Sequence, residues 1–422
     1  MAQETGPTAP NTHAMNVEIR PLTPADKFRH SELMAHAFSG GQVQTPPPSP
    51  SDAPPQAGEN EMAGTFGLFE NGALRAAYSI APFQVHWGQS VVLPMGGIAG
   101  VATWAEARGR GHVGSLLRHS LETMRAAGQV VSALYPFSWA FYRRYGWEWV
   151  GAKQRVTLPL AEVRAAPEGK NVREVSGKGA DQVQQLLAPI YTAFAHNYRG
   201  VCDSATHRWQ DSLGHRDNRT TYVYVHQAPG QENPDGYLLW RYGRDGKNAS
   251  VRELIANSPE AHRGLMSVLH YLGTQADKAD VSPLPSDHLL WHHAMHWDME
   301  TKGEPVFMGR VVDVPAALAA LMPPADFPNS AATLAIRDEH APWNEGKWLV
   351  ACENATVTCA PAPPNSVPGL SLDVQAFSQA FWGTPSLETL TRAGRVTAAN
   401  PSAVAWLGRL LSGPPVFTLD DF

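Results

Sequence analysis

The densest chemistry in this sequence lies between Gly97 and Gly128. An apolar run, 98–103, leads through Arg108-Gly109-Arg110-Gly111 into a segment with Val113, Leu116, Leu117, Leu121 and Met124 near helical spacing. Strand, glycine-rich turn and helix N-terminus together build an anion site. The first amides of a helix have no intrahelical partner, and the helix dipole adds partial positive charge there. Gly109, Gly111 and Gly114 remove side chains where a phosphate approaches the backbone, and Arg108 and Arg110 add charge-assisted donors. The spacing is neither G-x-x-x-x-G-K-[ST] nor G-x-G-x-x-G, which argues against a nucleotide P-loop and a dinucleotide fold. A turn that uses glycine only for tight packing is the competing reading. Further on, Phe141-Tyr142-Arg143-Arg144-Tyr145-Gly146-Trp147 supplies two phenols. A phenol with a reference pKa of ~10 is protonated at neutral pH and can act as a proton donor. Aromatic packing on a short helix is the plainer alternative.

These groups need a sheet to carry them. Residues 17–20 read as a strand, and Thr23 or Pro24 opens a helix to about Phe38 with Leu33, Met34 and Ala37 on one face. Segments 66–70 and 73–82 flank Asn71-Gly72, a hairpin signal, and 84–87 pairs through Gly88-Gln89 with 90–95. After the glycine turn and its helix come a strand at 130–134, a short helix around Tyr142 and a strand at 147–157. Antiparallel strands feeding one glycine-turn helix make a mixed α/β domain over 1–155. Residues 1–15 read as a polar tail. Within the domain, 40–63 is too rich in proline, serine and glycine to pack, and reads as a flexible loop, either a surface insertion or a lid.

A second domain over 156–300 repeats the order. Residues 181–195 are helical in pattern, 221–226 and 236–242 form an antiparallel pair, and 251–255 leads into a helix through a turn with one arginine, Arg263, and one glycine, Gly264. A third domain over 301–422 holds a helix at 315–321, strands at 333–337, 347–351, 355–359 and 370–374, and a helix opened by Asn400-Pro401 that runs to Leu411. The apolar run 416–419 is able to pack as an ordered strand. Asp420 and Asp421 either charge a docking site or stand in solvent. His288, His292, His293 and His296 lie close together, but no H-E-x-x-H is present and the segment reads as a strand, so no metal is assigned.

The 422 residues carry a net charge of −6, which disfavours generic nucleic-acid binding and suits a cationic small molecule. Three widely spaced cysteines argue against a disulfide framework and fit a reducing cytoplasm. No apolar run reaches about 18 residues, so no membrane span is expected.

Gly100-Val101-Ala102-Thr103, Arg108-Gly109-Arg110-Gly111-His112-Val113-Gly114, the Phe141–Trp147 segment, the last residue Phe422, and the stretches 303–318 and 336–348 together resemble the Eis type (enhanced intracellular survival) of GCN5-related N-acetyltransferase. The wider family places a second small residue where Val113 stands, and the Eis type also lacks it. The resemblance implies an α/β (α+β) architecture: tandem acetyltransferase (GNAT) folds, the second degenerate and not binding coenzyme A, then a sterol-carrier-like α/β domain. It implies acetyl-CoA as co-substrate, with Val101, Ala102 and Thr103 offering backbone groups to pantetheine. Arg108, Gly109, Arg110, Gly111, His112, Val113 and Gly114 would take the pyrophosphate. It implies Tyr142 as general acid, ahead of Tyr145, and the Phe422 carboxylate as general base. The implied acceptor is an aminoglycoside-type polycation, with polyamines and protein lysines as alternatives, and the implied assembly is a homohexamer. A lipid or sterol carrier with a vestigial acetyltransferase is the second reading.

Overall fold

The computed structural model describes residues 16–38, 62–214, 220–244, 246–292 and 299–422. The tail 1–15, nearly all of the 40–63 loop, and His293 and His296 lie outside the described residues. The chain divides into two compact units, 1–81 with 98–120 and 82–97 with 121–422.

In the first unit, β1 (Val17–Pro21) leads through a capping box between Thr23 and Asp26 into α1 (Lys27–Phe38). β2 (Thr65–Glu70) runs antiparallel to β1, with Val17 opposite Glu70. It turns into β3 (Ala73–Trp87) over Asn71 and Gly72, whose φ values of 50° and 80° suit the two-residue hairpin that Asn-Gly favours. The end of β4 (Val92–Thr103) and the start of α2 (His112–Ala126) complete this unit. Its core joins Leu22, Leu33, Met62, Phe69, Leu74, Ala77 and Ala102, with Met34 and Ala37 of α1 packed on them.

In the second unit, the remainders of β3 and β4 continue one sheet through β5 (Val131–Leu134). α3 (Trp139–Arg143) and β6 (Glu148–Trp149) follow in the chain, and β7 (Ala152–Pro159) enters a different sheet. That seven-stranded sheet also takes β8 (Val172–Glu174), and α4 (Ala180–Ala195) packs on one of its faces. β9 (Arg199–Cys202) returns to pair with β3, and α5 (Trp209–Leu213) precedes the antiparallel run β10 (Tyr222–His226), β11 (Gly236–Tyr242) and β12 (Ala249–Ala256). α6 (Pro259–Leu272) crosses to β13 (Lys278–Leu284), which lies parallel to β12, and β14 (Glu300–Pro305) closes the far edge on β7. β15 (Met308–Val311) then sits between β5 and β6. Last come α7 (Val314–Ala319), the strands β16 (Ser330–Arg337), β17 (Gly346–Glu353), β18 (Thr356–Pro361) and β19 (Leu370–Asp373), α8 (Val374–Trp382), α9 (Leu387–Arg392), β20 (Val396–Ala398) and α10 (Pro401–Leu411), built on a five-stranded sheet. The architecture is mixed α/β, as the sequence implies.

Several boundaries differ from the sequence reading. Segments 73–82 and 84–87 form one strand, because Pro82 is exposed and its missing donor costs the ladder little. Segments 90–95 and 98–103 also fuse, into β4. The expected strand 147–157 instead splits between two sheets at Val150-Gly151. β15, read from sequence as part of the third domain, belongs to the same sheet as β5. All four of its residues are buried, so periodicity carries no hint of which sheet they join. Around His288 the chain makes a 3-10 turn, Leu290–His292, in place of a strand. Residues 416–419 are ordered but form only a single bridge, Arg199 to Val416.

Candidate active site

In the first unit, β4 breaks its own pleat at Gly100, where φ is +58°, just before Val101, Ala102 and Thr103. Ala102 and Thr103 are buried and Val101 is half-buried. The chain then makes a 3-10 turn at Ala105–Ala107, passes exposed Arg108, and reaches Gly109 and Gly111 with φ of +78° and +82°. L side chains rarely adopt these angles, and a Cβ at either glycine would meet nothing within 4 Å. Glycine is therefore required here by backbone conformation, and the space left over each is open. α2 begins directly after, at His112, with Val113 and Gly114 in its first turn.

The loop is braced from behind by Glu70, which the sequence reading missed. This carboxylate is 4% exposed. It lies 3.4 Å from Arg75 Nε, 3.3 Å from Arg110 Nη1 and 3.2 Å from His112 Nε2. Arg110 also donates to the Glu106 carbonyl at 3.1 Å. Arg110 and His112 thus fix the loop to the end of β2, while Arg108 and the open helix N-terminus remain available to an anion. Saturating coenzyme A should bind at one equivalent per chain by calorimetry, and Gly111→Val should weaken it by about tenfold or more, since the substitution forces a β-branched residue to positive φ.

One site per chain is expected, and here the sequence reading is corrected: Arg263 and Gly264 form no turn but lie inside α6, whose first turn is engaged by its own chain. At the N-terminus of α6, Ser258 accepts from Ala261 N at 3.0 Å and donates to Asp235 Oδ2 at 2.5 Å. Arg263 is taken by Glu168 at 2.9 and 2.7 Å and by Glu260 at 2.8 Å. Carboxylates of the chain itself thus take both the cap serine and the one arginine in the first turns of this helix.

In the second unit, Ser138 caps α3 and Tyr142 is 3% exposed. Its ring packs edge-on to Phe137 and Phe141, each at 5.3 Å, and burial pushes the phenol pKa up. Tyr145 lies over His340 at 4.9 Å and meets the other side of the cluster at Phe141, 5.6 Å away, and its carbonyl accepts from buried Arg310 at 2.6 Å.

Phe422 lies on β4. A Cβ at Gly97 would stand 2.7 Å from Phe422 Cδ2 and 2.9 Å from Phe83 Cε2. The Phe422 ring also meets Phe83 at 5.2 Å and Tyr135 at 5.3 Å. Gly97 is glycine because the last aromatic ring of the chain takes that space. Gly97→Ala should displace Phe422 and lower turnover with unchanged coenzyme A affinity, a pairing that steady-state kinetics with calorimetry resolves. Phe422 and Tyr142 are held by separate neighbours, Gly97 and Tyr135 for the first, Phe137 and Phe141 for the second.

Asp420 is a correction. It neither faces a docking site nor stands in solvent: it is 2% exposed, with both carboxylate oxygens 3.0 Å from His207 Nδ1. The Gly96-Gly97 pair inside an apolar run was the sequence signal for close approach at β4; nothing local signalled His207.

Two sequence profiles of the acetyltransferase (GNAT) domain match this chain, over residues 18–150 and 200–311, and one of the sterol carrier protein domain matches 314–418. An uncharacterised N-acetyltransferase of Streptomyces avermitilis is 26% identical over 365 residues, spanning 82% of this chain and 85% of that protein. The GCN5-related N-acetyltransferase of Kribbella flavida is 25% identical with a TM-score of 0.77, covering 98% of this chain and all of that one. Eis1 of Mycobacterium abscessus shares the fold at a TM-score of 0.76 and 21% identity, covering 96% of this chain and all of that one.

Proposed function

We propose that this chain, whose acetyltransferase (GNAT) and sterol carrier domains are matched over 18–150, 200–311 and 314–418, is an Eis-like GCN5-related N-acetyltransferase that acetylates amino groups of an aminoglycoside-type polycation. Acetyl-CoA is the co-substrate its domains imply. The glycine turn fits that role, with open space over two left-handed glycines at a helix start.

The seat of Phe422 on Gly97 carries the mechanistic reading. The Phe422 carboxylate receives a proton from the acceptor ammonium, directly or through water. The freed amine attacks the thioester carbonyl, a C–N bond forms, and the C–S bond breaks. Tyr142 gives its proton to the sulfur, and the second proton that the nitrogen sheds as the amide forms returns through water to the Tyr142 phenolate. A reference pKa of about 3.5 is low for a base, and a partly buried carboxylate has a raised value that narrows the gap. Acceptor recognition by charge is consistent with the net charge of −6.

The carrier reading has less support. The rings of α8 that could line a lipid tunnel are engaged: Trp382 packs on Trp87 at 4.6 Å and on Phe307 at 5.1 Å, and Phe377 and Phe381 are fully buried. Among the described residues no helix is long and apolar enough to cross a membrane. The test is thiol release from acetyl-CoA against a kanamycin-like aminoglycoside, spermidine, a lysine peptide and no acceptor. Release that depends on the aminoglycoside supports the proposal. Release only with spermidine or the peptide replaces the acceptor class. Coenzyme A binding without acceptor-dependent release removes the proposed acceptor.

A further inference from the structure

We propose that His207 is a positioning residue for the C-terminal segment, clamping Asp420 so that Phe422 is held on Gly97. The inference rests on the reading of Phe422 given above and extends it to residues far away in sequence.

The clamp has several parts. Asp420 Oδ1 accepts from the Arg208 amide at 2.9 Å, and both carboxylate oxygens meet His207 Nδ1. Tyr135 Oη donates to the Asp420 carbonyl at 2.8 Å while its ring touches Phe422. Upstream, Arg199 N donates to the Pro415 carbonyl at 3.0 Å and Phe417 N to the Arg199 carbonyl at 2.9 Å. The segment is therefore tied at 415–417 and again at 420, leaving two residues to reach the strand. A tail held at one point would fray, which is the default for chain ends.

His207 is built for this task and not for contact with a small molecule. Its side chain is 1% exposed, stacked on Tyr191 at 4.4 Å and edge-on to Trp209 at 4.5 Å. Nε2 has Ser212 Oγ at 3.4 Å and Glu253 Oε1 at 3.8 Å, and Glu253 in turn accepts from Tyr237 Oη at 2.5 Å. Asp211 adds a further negative charge nearby. Burial pulls the imidazole pKa down, and the bond and charge of Asp420, with Glu253 and Asp211, more than reverse it. Burial pushes the Asp420 carboxyl up, and His207 with the Arg208 amide brings it below the ordinary range. A lowered carboxylate stabilises above its unfolded pKa of about 4 and loses this as pH falls through the folded value. A raised imidazole contributes fully below about 6.5 and loses this as pH rises through its folded value. The clamp is tightest where both hold, between about pH 4.5 and 6.5.

The experiment uses the full chain and a carboxypeptidase that prefers aromatic ends, with release of Phe422 followed by mass spectrometry beside acetyl-CoA binding and turnover. His207→Ala should speed release by about tenfold or more, and should cut turnover by up to about a hundredfold, the cost of roughly 1 Å of misplacement. Coenzyme A affinity should not change. His207→Asn places an amide donor near the Nδ1 position and should restore protection. It should also abolish the rise in release expected of the wild type as pH climbs through the folded His207 value, because Asn does not titrate. Asp420→Asn provides a second route should the Ala variant fold poorly. Release at the wild-type rate in both His207→Ala and Asp420→Asn overturns the clamp. Faster release with unchanged turnover leaves the clamp standing and removes the catalytic reading of Phe422, so the two failures are distinct.

Discussion

Replacing the Phe422 carboxylate by a primary amide, through ligation of a synthetic C-terminal peptide, lowers acetyl transfer by about a hundredfold or more, the usual range for loss of a general base. The amide keeps the ring that packs on Gly97, Phe83 and Tyr135, so packing is held constant while the proton acceptor is removed. Deleting Phe422 is a coarser version, because it loses the ring and also draws the new carboxylate back by about 3.5 Å. Adding one residue after Phe422 sits between the two: the ring stays and a peptide bond replaces the carboxylate. In all three variants the bonds at Asp420, Phe417 and Pro415 lie upstream of the change, so the fold and coenzyme A affinity are retained. Loss of turnover with retained affinity is a deficit in the chemical step. Equal turnover in the amide and the native acid would remove the carboxylate from the mechanism.

What could be read in the sequence divides along a physical line. The glycine turn before α2 was legible because its signals are local: positive-φ glycines, arginines beside them, and apolar spacing that fixes the helix face. The Asn71-Gly72 hairpin was legible for the same reason. Asp420 was not. A carboxylate near a chain end reads as solvated or as docking charge, and only the fold brings it to His207. Gly97 was legible as a glycine and silent as to cause, since the ring that excludes a side chain there comes from the other end of the chain. The same limit hid Glu70, whose three partners come from the adjoining β3, the turn and α2. Strand continuity through Pro82 and Gly96-Gly97 was misread because breaker residues were counted without knowing which side faced solvent or a neighbour. The shortage of glycine and arginine in the second unit's strand-to-helix passage was visible, but Arg263 and Gly264 proved to be part of α6 and not of a turn. The structure adds that Glu168 and Glu260 occupy the arginine that remains.

Tyr142→Phe lowers turnover by about a hundredfold or more with little change in coenzyme A affinity, in keeping with the worth of a general acid. The loss is confined to one oxygen, since the ring contacts with Phe137 and Phe141 survive. Burial raises the Tyr142 pKa, which keeps the phenol protonated through the whole neutral and mildly alkaline range. An ordinary phenol would begin to lose its proton near pH 10, whereas this one should hold it, so the wild-type rate should show no fall near pH 10 that the Phe variant lacks. The same burial makes the phenol a weaker acid in equilibrium terms. A thiol has a reference pKa of about 8.5, so transfer from a raised phenol is uphill unless the thiolate is destabilised as well. A thiolate formed in the same desolvated surroundings is raised by the same physics, and the gap narrows at the moment when charge develops on sulfur. The thiolate must therefore form beside Tyr142, within hydrogen-bond reach of its hydroxyl. Tyr145→Phe is the control, because that ring sits over His340 and should leave turnover within a few-fold of the wild type. If Tyr145→Phe carries the loss and Tyr142→Phe does not, the acid has been assigned to the wrong phenol.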